Sequence, residues 1–164
     1  MRGKCLAVFL AAATLATVAT AQTKVSGTAS CKQQADGTHS IDLDDAKGHS
    51  MVLSKSMCTW SKGIEMGGST AKDGYSVAAI EVNGNKSTTR GVHITTMASG
   101  DKAHVRFQGT STSKDGKPET DKGTWSFTGG TGKLKGLKGK GTYDGKPEAD
   151  GSMTYQIEGE YSLP

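Results

Sequence analysis

Four residues within fourteen positions, His93, Thr95, His104 and Arg106, carry the densest polar chemistry of this chain. A neutral imidazole beside a guanidinium or a second imidazole can orient a ligand or move a proton. An arginine next to two histidines opposes a metal cation. A two-residue turn at Ser99-Gly100 would set Val92 opposite Phe107, Ile94 opposite Val105 and Thr96 opposite Ala103. His93 would then face Arg106, and Thr95 would face His104. The four polar residues would share one face, either solvated or a ligand-orienting cluster, while Val92, Ile94, Val105 and Phe107 form the buried face.

A second polar group, His39, Asp42, Asp44, Asp45 and His49, offers ligands for Ca²⁺ or Zn²⁺. It lacks the glycine and distal glutamate of an EF-hand loop, so no metal site is expected. No Gly-x-Ser-x-Gly elbow or His-Glu-x-x-His pair occurs, which leaves hydrolase and zincin readings without support. Gly129 to Gly141 holds six glycines and four lysines in thirteen residues, yet Leu134 follows Lys133 where a phosphate loop needs Ser or Thr. Leu134 and Leu137 are expected to anchor this segment inward while the lysines keep it wet. No cofactor motif remains, and no cofactor is expected.

Period-two alternation positions these residues. Strands are expected over residues 23–30, 39–44, 50–60, 74–82, 88–97, 102–112, 122–128, 139–144 and 151–162, separated by Gly, Asp, Asn and Lys clusters. Residues 77–82 are apolar on both faces and should be covered on both. Asn83-Gly84 proposes a tight turn with Glu81 opposite Lys86. Asp115-Gly-Lys-Pro-Glu119 recurs as Asp144-Gly-Lys-Pro-Glu148, and each copy is expected to join two strands. The aromatic residues Trp60, Phe107, Trp125, Tyr143 and Tyr155 either fill the core or, in a barrel open at one end, line an apolar cavity.

Met1-Arg-Gly-Lys4, the uncharged run Leu6 to Val18 and Ala19-Thr-Ala21 together read as a cleaved secretory signal over residues 1–21, followed by a single β domain over 22–164. Of the 143 residues from Gln22 onward, 22 are Gly and 40 are hydrophobic. Such a chain needs an economical architecture or covalent help. Cys31 and Cys58 are expected to supply the help as a disulfide in a secreted or periplasmic setting. Removing Arg2 and Lys4 leaves 18 bases against 16 acids, too even a balance to imply nucleic acid or an anionic membrane. No stable membrane anchor is expected.

Gly129-Gly130-Thr131-Gly132-Lys133-Leu134 and Gly136-Leu137-Lys138-Gly139 resemble the Gly-Gly-Thr-Gly-x-Phe-x-x-Ala-Arg-Gly segment of dirigent proteins and allene oxide cyclases. Trp125-Ser-Phe127 is similar to the strand that leads into it, and the resemblance spans Gly123 to Tyr143. Leu134 replaces the usual aromatic, and Leu137-Lys138 replaces Ala-Arg. The resemblance implies an all-β, calycin-like barrel of eight antiparallel strands in which this segment is structural. Known relatives guide coupling of phenoxy radicals or cyclise an oxidised fatty acid. The expected role is binding of a small apolar molecule or service as a structural or interaction module; the alternative is a cyclase- or dirigent-type enzyme acting on a hydrophobic substrate.

Overall fold

The computed structural model describes residues 22–164; the signal-peptide expectation, on residues 1–21, lies outside them. The described chain is built from ten strands: β1 (Thr23–Gln33), β2 (His39–Asp42), β3 (His49–Lys62), β4 (Glu65–Met66), β5 (Ser69–Asn83), β6 (Lys86–Met97), β7 (Lys102–Lys114), β8 (Lys117–Gly130), β9 (Lys138–Pro147) and β10 (Met153–Ser162). Two short 3₁₀ turns, Ala35–Gly37 and Gly132–Leu134, are the helical content among the described residues.

From β5 to β10 each strand pairs antiparallel with the next. β10 returns to β1, β1 pairs with β3, and β3 pairs with β5, which shuts an eight-stranded antiparallel barrel. β2 extends the edge of β3 beyond β1, and β4 forms a small hairpin on β5. Closure removes the open edges that a Thr- and Val-rich sheet would otherwise present.

One end of the barrel is plugged. Ile64, Met66, Ala71, Met97, Ala103, Leu134 and Leu137 form a buried cluster there, with Trp60, Phe127 and Ile157 packed against it. Leu134 and Leu137 are each 1% exposed while Lys133, Lys135, Lys138 and Lys140 stay in water. The Gly-Lys segment is therefore a lid, turned by Gly132 (φ 54°) and Gly136 (φ 76°). Asp101 holds it from the β6–β7 turn by accepting the Lys133 amide at 3.3 Å.

Above the plug, glycines make room for rings. A Cβ on Gly27 would strike Trp60, one on Gly145 would strike Tyr155, and one on Gly109 or Gly123 would strike Tyr143. Few bulky side chains thus fill a barrel because each ring lies over bare backbone of a neighbouring strand. This is how an oil-poor, glycine-rich composition encloses an interior.

The β6–β7 register differs from expectation by one residue. Met97 N–H donates to Asp101 O at 2.8 Å, so the turn holds three residues, Ala98-Ser99-Gly100, with Gly100 at φ 89°. Val92 now faces Arg106, His93 faces Val105, Ile94 faces His104 and Thr95 faces Ala103. One extra residue turns β6 over, so His93 and Thr95 point inward and Val92 and Ile94 outward.

Two other turns also move. Asn83 pairs with Lys86, which places Gly84-Asn85 at the β5–β6 turn and sets Glu81 against Thr88. Gly84, at φ 61°, supplies the positive dihedral. Asp115-Gly116 does join β7 to β8, both residues having positive φ. Its echo at Asp144-Gly145 instead lies inside β9, where Gly145 pairs with Tyr155 and leaves space for that ring.

Residues 77–82 are covered on the inner face only. Among the described residues nothing covers the outer one, where the exposed large hydrophobics Ile41, Leu53, Met57 and Val92 lie on neighbouring strands and Tyr75 on β5 itself.

Candidate binding cavity

The interior between the plug and the opposite end is a cavity of about 230 Å³. Trp60, Phe107, Trp125, Tyr143 and Tyr155 all line it, as do His93, Thr95 and Cys31. Phe107 meets Tyr143 edge-on, with ring centroids 6.3 Å apart and planes at 85°. Tyr143 meets Tyr155 the same way at 5.7 Å and 77°. Trp125 is fixed by its indole N–H, which donates to the Thr142 carbonyl at 3.1 Å.

The expected cluster of His93, Thr95, His104 and Arg106 does not assemble. His93 and Thr95 enter the cavity lining, whereas the side chains of His104 and Arg106 lie on the outer face, opposite Ile94 and Val92. The three-residue turn is the physical cause. Asp42, Asp44, Asp45, His39 and His49 gather no metal-ligand set either; among the described residues no group of three such side chains is arranged to hold an ion. His49 instead bridges Asp45 (Nδ1 to Oδ1, 2.7 Å) and Glu81 (Nε2 to Oε1, 3.2 Å) near the β2–β3 turn.

Cys31 and Cys58 stand directly opposite each other on β1 and β3, Cα atoms 4.1 Å apart, and are joined as a disulfide. Cys58 is buried, and the bridge lies on the inner surface of the barrel.

Sequence reasoning missed Asp121 and Ser76. The Asp121 Oδ2 accepts a hydrogen bond from the Tyr155 hydroxyl at 2.9 Å. The Tyr143 hydroxyl lies beside the same carboxylate without a hydrogen bond of good geometry. Burial pushes the Asp121 carboxyl above its usual range, against the pull of the two phenols. Burial, and then the Asp121 charge, raises both phenols. On the β5–β6 side, Ser76 Oγ and His93 Nδ1 are 2.8 Å apart. Burial lowers the His93 imidazole to about 4, so it is neutral at ordinary pH. Alternation alone could have found Asp121, since Asp121, Gly123, Trp125 and Phe127 fall on one face of β8.

Four buried side-chain polar atoms lack a partner among the described residues: Trp60 Nε1, His93 Nε2, Asp121 Oδ1 and Tyr143 Oη. All four belong to residues lining this one cavity. The Asp121 carboxylate and the Tyr143 hydroxyl lie beside each other, whereas Trp60 Nε1 and His93 Nε2 have nothing at hand; buried polar groups are otherwise almost always paired, so these two mark places where hydrogen bonds are to be made with something else. A larger concavity of about 1480 Å³ on the outer face, between Lys24 and Arg90, is lined by none of these four residues.

No known family profile matches the chain. No curated protein does either. Among solved structures, a protein with unknown function from the DUF3224 family of Shewanella oneidensis MR-1 aligns with 88% of this chain and 100% of its own, at TM-score 0.49 and 16% identity. A pterocarpan synthase dirigent protein aligns with 94% of this chain and 98% of its own, at TM-score 0.49 and 10% identity. Neither alignment brings an activity to this chain. Function has to be argued from the cavity's own chemistry.

Proposed function

We propose that this is an exported barrel that binds one small, largely apolar molecule inside. The observation that supports the reading most is an aromatic-lined cavity onto which two unpaired polar atoms, Trp60 Nε1 and His93 Nε2, and the buried Asp121 carboxyl converge. A cavity of about 230 Å³ exceeds the roughly 150 Å³ that holds benzene in an engineered core. It suits an occupant of one or two rings. The aromatic walls would supply affinity, while the orphaned atoms would fix orientation. Export is supported by the disulfide; no helix among the described residues is long and apolar enough to cross a membrane, which says nothing of strands.

Turnover of the bound molecule is the second reading, favoured by one arrangement. A buried carboxyl touching a phenol on one wall and a neutral imidazole on another could hold and move a proton across an apolar substrate.

Both tryptophans of the chain, Trp60 and Trp125, line the cavity, so their fluorescence reports its filling. Titration with a panel of uncharged one- and two-ring aromatics should shift that emission and raise the melting temperature. Native mass spectrometry of protein from its own host should show an adduct. Ala78→Leu, which adds bulk to the lining, should abolish the response. An unresponsive wild type together with an adduct-free mass would reject the reading.

A further inference from the structure

We propose that the occupant is a small organic ammonium ion that also carries an oxygen acceptor, with Asp121 as its counter-charge. This rests on the reading of the interior as a binding cavity and adds the charge and polarity of what enters.

The cavity lining contains one carboxylate, Asp121, and no Lys or Arg. Lys122, the next residue, is turned outward and pairs with Asp144 at 2.9 Å. His93 lines the cavity, but burial keeps its ring neutral, so it supplies no balancing charge. The Asp121 carboxylate therefore takes a hydrogen bond from Tyr155 and has the Tyr143 hydroxyl beside it, but neither neighbour carries a positive charge. A carboxylate in apolar surroundings is costly unless an opposite charge lies beside it. No such charge comes from the described residues around it.

The walls suit a cation as well. Tyr143 meets Phe107 and Tyr155 edge-on, so the three rings bring faces as well as edges to the wall. Aromatic faces beside a carboxylate are the chemistry that recognises substituted ammonium groups. On the same lining, the Trp60 indole N–H can only donate and has nothing to donate to. An oxygen on the ligand would satisfy it, and the Tyr143 hydroxyl can serve either group.

The test uses two probes that differ by one atom: acetylcholine and its uncharged carbon isostere, 3,3-dimethylbutyl acetate. Both are titrated into the disulfide-intact exported chain near neutral pH by calorimetry and tryptophan fluorescence. The ammonium probe should bind about tenfold or more tightly than the isostere. Asp121→Asn should bring it down to the isostere's level while leaving the isostere unaffected. The probe comparison on the unaltered protein stands even if the variant fails to fold. Equal or tighter binding of the isostere would overturn the counter-charge and leave the cavity reading intact, as would a response to uncharged aromatics with none to the ammonium. Silence towards this pair and towards the aromatic panel would overturn both.

Discussion

At the scale of single residues, the two best-placed histidines respond to pH in opposite directions. Burial holds His93 neutral down to about 4, below the ordinary 6.5, so the unfolded chain takes up the proton first as pH falls. Stability due to this residue is complete above pH 6.5 and declines towards pH 4, by up to about 3 kcal/mol. His93→Gln should flatten the decline, seen in urea midpoints measured between pH 7 and 4; parallel slopes for both proteins would refute a neutral buried ring. His49 has the opposite sign. Its hydrogen bond to Asp45 raises it, so its contribution is complete below the ordinary imidazole value and lost as pH climbs through the raised one. Five aromatics stood out as interior residues because an oil-poor chain has few other candidates, but whether they filled a core or faced a cavity was open in the sequence. Asp121 did not stand out, because the expected strand began one residue later, at Lys122; carrying the alternation back from Trp125, four places on, would have turned Asp121 inward.

At the scale of elements, the β6–β7 hairpin decides which polar groups reach the interior. Thr95 is 3% exposed and Val92 is 44% exposed, the reverse of what a two-residue turn implies. Thr95→Asp should therefore destabilise by about 3 kcal/mol or more, and Val92→Asp by less than about 1 kcal/mol. Denaturant unfolding of the two variants measures this, and equal losses would refute the observed register. All nine expected strands exist, since alternation and glycine punctuation are local signals. The extra turn residue was hidden because β5 selects it: Ala98 N–H donates to the Thr70 carbonyl at 2.8 Å and Ser99 N–H to Ser69 Oγ at 3.0 Å. Those contacts join residues about thirty positions apart, beyond the reach of any local pattern.

At the scale of the whole molecule, the ring is held by the ladder between β1 and β10 and by one covalent tie. Replacing Cys31 and Cys58 together with Ala should lower the unfolding free energy by about 3 kcal/mol, the chain-entropy value for a loop of this length. The sequence separation is 27 residues. Equilibrium denaturation of the double variant tests it, and an unchanged midpoint would show that the bond does not constrain the unfolded chain. An all-β chain and its disulfide were readable from composition, alternation and cysteine count, while closure into a barrel was what the resemblance of the Gly129–Gly139 segment implied. That no cation lines the interior beside Asp121 was not readable, because it depends on strand neighbours that only the closed ring brings together.

β1 has its longest ladder with β10, Thr23 to Cys31 against Tyr161 to Met153. During synthesis β1 therefore waits, one edge bare, until β10 has been made. The ring cannot shut progressively as the polypeptide emerges; it shuts in one late event of high contact order, and until then its first strand is available to any other extended chain nearby.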